Sequence, residues 1–309
     1  PLAVLDLQLD LIRWARGSEL GRWVKFLSDH SESYAVLDHV SLDRAVDAIR
    51  ASIDGWTMWV SADMAATLEH AQSTMPPPDG GAISAGVIPH PAGMAWIAGD
   101  PAMIYFDHPI VAVSWLVTMW PGTVAASGEV IEIPSVLVVP WATGDPLPEA
   151  LAPTVMPIAA DAAQMIGLDP DDVVPATMQW DAEEWAAEPF ALDRWMLATW
   201  VFAAQVLPQH IVSATRPARR RALRVIGDRP DWGDVHVMTL RMMHRGSGGD
   251  EHEGGDIHFG HRWVVRGHWR WQPCGPGRAD RRLTWVRPHV KGPEGAPLVE
   301  VDQIAKLVR

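Results

Sequence analysis

Cysteine, lysine and tyrosine are nearly missing from this chain, with one Cys, three Lys and two Tyr in 309 residues. A lone thiol, Cys274, closes no internal disulfide and supplies no cysteine-based zinc cluster, which points to a reducing, cytoplasmic setting. Long apolar runs are missing too. The longest, residues 110–120, contains Ser114 and Thr118 and falls short of the roughly 20 residues a membrane-crossing helix needs, so no membrane partner is expected. The start of the chain has no basic lead, and Asp6 and Asp10 interrupt its first apolar stretch, which is unlike a secretory signal. Without low-complexity tracts, collagen-like, coiled-coil and mucin-like architectures are excluded.

Signatures of common chemistries are also lacking. Gly246, Ser247, Gly248 and Gly249 are not followed by the Lys-Ser/Thr pair of a phosphate-binding loop, and no nucleophile elbow surrounds any Ser or Cys. Asp250, Glu251, His252, Glu253 and Asp256 do not have the spacing of an EF-hand. His258 and His261 are three apart, which on a strand places them on opposite faces and prevents convergence on one ion. No metal or other cofactor is therefore expected.

What is present is an ordinary globular composition, 48% hydrophobic and 20% charged, long enough for one large domain or two of usual size. The net charge of −13 hides a partition. Residues 211–309 hold 18 of the 25 Lys and Arg but only 11 of the 38 Asp and Glu, a balance of +7; residues 1–210 carry −20. An acidic body with a basic end suggests a polyanion partner for the basic end.

Apolar spacing predicts two helices within residues 2–27, broken at Gly17, and a third over 41–53 that starts at Ser41. The run Pro76-Pro77-Pro78-Asp79-Gly80-Gly81 continues neither helix nor strand and marks a boundary. Strand-like segments follow at 83–88, 94–97, 110–118 and 130–139. Residues 143–190 read as a helical or irregular connector. A helix is expected over 190–207, with Trp195, Leu197, Trp200, Val201 and Ala204 on one side. A second spans 216–225, with Thr215 and Pro217 where a cap and a first-turn proline belong. Strand-like runs at 235–243, 257–271, 283–289 and 298–308 complete the chain. The expected architecture is α+β: an acidic α/β body over 1–210, and a basic antiparallel sheet with a packed helix over 211–309.

Residues 257–271 have the sharpest pattern. Read as one strand, Trp263, Val265, Trp269 and Trp271 share a face, while Arg262, Arg266, His268 and Arg270 share the other. Arg287, His289 and Lys291 alternate further on, with Arg278, Arg281 and Arg282 between. Asp280 is the only acid between His258 and Lys291. Arg grips phosphate and stacks on bases, and Trp stacks on unpaired bases. Either Trp285 or Val286 must face the cationic side: Trp285 there is a base platform, and otherwise it is core. Arg216, Arg219, Arg220 and Arg224 line one helical face, which Arg221 extends, as a phosphate track or a solvated surface.

Residues 261–272, Gly275-Pro276-Gly277, 285–294 and Pro297-Leu298 resemble a C-terminal signature of uncharacterised proteins from actinobacteria and their phages and plasmids. This resemblance implies a phage or mobile-element origin and carries no residue roles. The order of helix and antiparallel strands is similar in outline to RelE-like and barnase-like ribonuclease toxins, a likeness of fold alone.

These observations lead to a protein that binds RNA or single-stranded DNA through Arg262, Arg266, Arg270, Arg282, Trp285, Arg287 and Lys291. A metal-independent ribonuclease is the alternative, with His268 and His289 as acid and base. A third reading is a structural component, since the 17 Trp exceed the usual needs of a core and suit protein interfaces. The glycine-rich acidic loop 246–256 is expected either to fold back on the basic face as a polyanion mimic or to be a solvated connection.

Overall fold

A computed structural model describes residues 2–30, 40–78, 81–99, 103–123, 129–145, 147–169, 182–204, 210–227, 232–238, 262–265, 267–286, 289–293 and 297–299. They form an α+β protein of two compact units, Pro1–Leu240 and Arg241–Arg309.

The first unit opens with helices α1 (Ala3–Arg16) and α2 (Ser18–His30), parted at Gly17, and α3 (Leu42–Ile53). All three follow the apolar spacing of the sequence. Ser41 caps α3 by accepting a hydrogen bond from the Arg44 amide at 3.3 Å. Strand β1 (Trp56–Val60), helix α4 (Ala62–Gln72) and strand β2 (Ala92–Ile97) then make a parallel crossover unit. Next come β3 (Ile104–Tyr105), β4 (His108–Thr123), β5 (Val130–Ala142), β6 (Glu149–Ala150) and β7 (Thr154–Pro157). Short helices α5 (Ala160–Ala163) and α6 (Ala182–Ala186) precede the long α7 (Ala191–Ala204). Strand β8 (His210–Ser213), helix α8 (Arg216–Ile226) and strand β9 (Asp234–Met238) follow.

One mixed sheet organises this unit, in the order β6-β5-β4-β2-β1-β9-β8, with β3 added to β4 and β7 to β5. Strand β1 lies parallel to both β2 and β9, and the other pairs are antiparallel. Helices α1, α2, α3 and α8 share one core with Met94, Trp96, Leu137, Val139, Trp141, Val235 and Val237. On the other face Trp115 meets Trp200 of α7 edge to face at 5.9 Å. Gly93 makes room there, because a Cβ would come within 2.5 Å of the Trp115 ring. Residues 191–202 of α7 are all buried, so this helix is covered on every side and not on one.

Several expectations change. The 143–190 region contributes two strands, since β7 pairs with β5. Residues 83–88 provide one bridge, Ile83 to Ile158, and a 3-10 turn instead of a strand. The compact units part after Leu240, not at residue 210, because β9 pairs with β1 and α8 packs on α1. Among the described residues no helix is long and apolar enough to cross a membrane.

The second unit contains β10 (Arg262–Val265), β11 (His268–Cys274), β12 (Asp280–Val286), β13 (His289–Lys291) and β14 (Leu298–Val299). Strand β10 lies between antiparallel β13 and parallel β14, while β11 and β12 form a separate antiparallel hairpin. The single strand expected over 257–271 is therefore two strands in two sheets, and the helix expected to cover the C-terminal sheet, 216–225, belongs to the first unit. Residues 257–261 lie outside the described residues.

Candidate nucleic-acid interface

The hairpin of β11 and β12 is the best-defined part of the basic end. Seven consecutive pairs run from His268 opposite Val286 to Cys274 opposite Asp280. Its loop reverses through a 3-10 turn at Pro276–Arg278, where Gly275 and Gly277 take positive φ of 73° and 62°. Residues directly opposite share a face. Trp269, Trp271, Leu283 and Trp285 thus lie on one side, and His268, Arg270, Gln272, Arg282 and Thr284 on the other.

The two faces have different chemistry. Trp285 is 3% exposed and meets the Trp269 ring edge to face at 5.0 Å. It is core, which overturns its use as an exposed base platform, while Val286 takes the cationic side opposite His268. The open indole is Trp271, 38% exposed, which sequence alternation assigned to the core. On the polar face His268, Arg270 and Arg282 are exposed. Arg270 donates to the Gln272 side chain, which lies opposite Arg282 and steadies the guanidinium beside it.

The remaining predicted residues are spread differently. His289 and Lys291 are exposed on β13, in register with Val265 and Trp263. Arg262, three residues from Val265, points to the opposite side of that sheet. The row of Arg262 and Arg270 expected from one strand is thus divided between two sheets, and the proposed acid and base, His268 and His289, likewise stand in different sheets. Arg266 and Arg287 lie outside the described residues, as does the acidic loop 246–256.

The described part of the second unit carries six cations, Arg262, Arg270, Arg278, Arg281, Arg282 and Lys291, against one acid, Asp280. Over the whole unit 12 Lys and Arg face 8 Asp and Glu, while the first unit has 13 against 30. The polarity read from the sequence survives the shift of boundary, reduced because α8 moves to the acidic side. On α8 itself Arg219 pairs with Asp234 at 2.8 Å and Arg221 with Asp6 at 3.1 Å. Arg216, Arg220 and Arg224 are left as its exposed stripe.

Among the described residues no three His, Cys, Asp or Glu side chains converge as a metal cage requires. Comparison with protein-family models, curated proteins and solved structures finds no match to this chain. Geometry and chemistry are what bear on its function.

Proposed function

We propose that this is a phage or mobile-element protein that binds RNA or single-stranded DNA through its second unit. The observation that carries the reading is the polar face of the β11–β12 hairpin, where His268, Arg270 and Arg282 are exposed together. Guanidinium groups exposed on adjacent strands grip phosphates and so hold a nucleic-acid strand without reading its sequence. The exposed indole of Trp271 adds a surface on which an unpaired base stacks. Lys291 and Arg262, in the other sheet of this unit, add to its positive charge.

The test is a binding titration of the full chain with labelled single-stranded RNA and DNA at about 50 and about 200 mM salt, since released counterions make phosphate-driven affinity fall steeply with salt. The Arg270→Ala/Arg282→Ala double variant should bind roughly tenfold more weakly at low salt, with a shallower salt slope. No binding to either polymer at low salt would sink the proposal. RNA cleavage in the same reactions, insensitive to chelator and abolished by His268→Ala, would replace the binding module with the ribonuclease.

A further inference from the structure

A cleft in the first unit has one buried acid, Asp193, in its lining. It has a volume of about 620 Å³ and lies between the β3–β4 turn, the segment leading into β7, and the start of α7. That volume is in the range of small-molecule sites. Its walls are apolar and aromatic, with Tyr105, Phe106 and Phe190 around Pro153 and Val155. Asp193 is the only acid among the lining residues, and none of them is Lys or Arg.

Asp193 is 4% exposed, and its Oδ1 accepts a hydrogen bond of 2.6 Å from the Thr154 hydroxyl. Its neighbour Arg194 turns its guanidinium to the carbonyls of Trp185 and Ala187 and to the Gln72 side chain. Arg194 thereby clasps α7 to α4 and the turn before it. Burial holds the Asp193 carboxyl up at about 7, against the opposing effects of the Thr154 hydrogen bond and the Arg194 charge. Such a carboxyl is ionised in the cleft only at a cost in solvation, which a cation of its own would remove.

The rim supplies a second, independent observation. Phe106 and Asp107 make the two-residue turn between β3 and β4 with φ of +46° and +64°. Both central residues of this kind of turn need positive φ, and Asn-Gly is the pair that adopts it easily. A bulky Phe in that region is strained, and strain of this kind collects at ligand clamps. The turn holds Phe106 53% exposed against the Tyr105 ring, 4.6 Å away and edge to face, at the mouth of the cleft. The Tyr105 hydroxyl donates to the Pro189 carbonyl at 3.3 Å, which ties the rim to the segment before α7.

We infer that this cleft binds an organic cation, an amine on an apolar body, with its ammonium group on the Asp193 carboxylate and its body among Tyr105, Phe106 and Phe190. Aromatic faces attract a cation as well as apolar surface, so all three rings favour the same ligand. An anion meets the carboxylate with His108 as the one basic side chain in the lining, and a neutral ligand brings the carboxylate no partner cation. The inference is independent of nucleic-acid binding by the second unit.

The experiment measures binding of three small probes to the full chain at pH 8 by calorimetry and saturation-transfer NMR: 2-phenylethylammonium, the neutral 2-phenylethanol and the anionic phenylacetate. The ammonium should bind about tenfold or more tightly than the alcohol, with phenylacetate weakest. Asp193→Asn, which keeps the shape and the Thr154 partner, should reduce the ammonium to the affinity of the alcohol. Phe106→Gly relieves the positive φ and so preserves the fold; it should weaken the ammonium several-fold. Equal affinity for ammonium and alcohol in the parent, no ammonium binding at millimolar concentration, or undiminished binding in Asp193→Asn would overturn the inference. Should Asp193→Asn fail to fold, the probe ranking in the parent and the Phe106→Gly variant decide it.

Discussion

The two units differ most in how they treat their tryptophans. In the first, Trp115, Trp141, Trp195 and Trp200 have no exposed surface, and the buried polar groups around Trp141 are connected. The Trp141 indole donates to Ser114, whose hydroxyl meets that of Ser52 at 2.8 Å. Gln8, fully buried on α1, donates to the Ile53 carbonyl and accepts from Thr57 and from the Trp96 indole. In the second unit Trp285 is the only buried side chain among the described residues. A three-layer body has interior to spare for such networks, whereas a two-stranded hairpin has one apolar face and is marginal alone. The teaching of the contrast is that stability sits in the acidic unit, and exposed cationic chemistry sits where little interior competes for the side chains.

The largest effect that could break this comparison is deletion of a buried indole in each unit. Trp141→Ala should cost the first unit about 3–5 kcal/mol in chemical denaturation, from lost burial and a cavity. Trp285→Ala should leave that main transition unchanged while exposing the chain beyond Leu240 to limited proteolysis. A shift of the main transition by Trp285→Ala as large as that from Trp141→Ala would show that the units are not energetically distinct.

The next effect is on pH dependence. The Asp193 carboxyl is held at about 7 in the fold, above its ordinary 3.8. Below about pH 4 it is protonated whether the chain is folded or not, and it contributes nothing. As pH rises from about 4 to 7 the unfolded chain ionises while the folded one keeps its proton. Stability should therefore fall across that window, by up to about 1.4 kcal/mol per pH unit, and level off above it. Urea denaturation at several pH values should show this slope in the parent and a flatter one in Asp193→Asn. His108→Gln serves as control for the histidine lining the cleft, and an identical slope in parent and Asp193→Asn would reject the assignment.

Gln8→Leu should destabilise the first unit by about 1–3 kcal/mol, because Thr57, the Trp96 indole and the Ile53 carbonyl lose a buried partner together. Denaturation midpoints decide it, and a neutral result would mean that the polar network is dispensable. The smallest effect is expected at the surface. Arg44 meets both carboxylate oxygens of Glu132 at 2.6 and 2.7 Å and the Met119 carbonyl, and lies 5.8 Å over the Trp120 ring. The hydrogen bond from Arg44 is the main reason the Glu132 carboxyl titrates below its ordinary range. Both side chains are more than a third exposed, so Arg44→Ala should cost about 1 kcal/mol or less, most visibly at low salt.

Helices α1, α2, α3 and α8 were legible because each has a period near 3.6 and a local signal at its boundary, at Gly17, Ser41 and Thr215. Of the crossover β1-α4-β2 only β2 was legible, as the strand-like segment 94–97; β1 was not, since it is apolar on both faces and its Trp56-Thr57-Met58-Trp59-Val60 shows no alternation of polarity. At the basic end, the residue types and the local alternation of β11 were legible. Which residues share a surface was not, because the period-two pattern runs on past Gly267 while the strand partners change from β13 and β14 to β12.

By itself the sequence determined the α+β class, the Ser41 and Thr215 caps, and a chain divided between an acidic body and a cationic end, all set by neighbours in the chain and by composition. Only tertiary structure decided that β9 joins β1 and moves the boundary to Leu240, and that Trp285 is core while Trp271 is open. It also gathered Tyr105, Phe106, His108, residues 151–155, Pro189 and Phe190 around the Asp193 carboxyl. The reason is physical: local propensity acts over a few residues, whereas pairing partners, burial and a shifted carboxyl depend on groups brought together from distant parts of the chain.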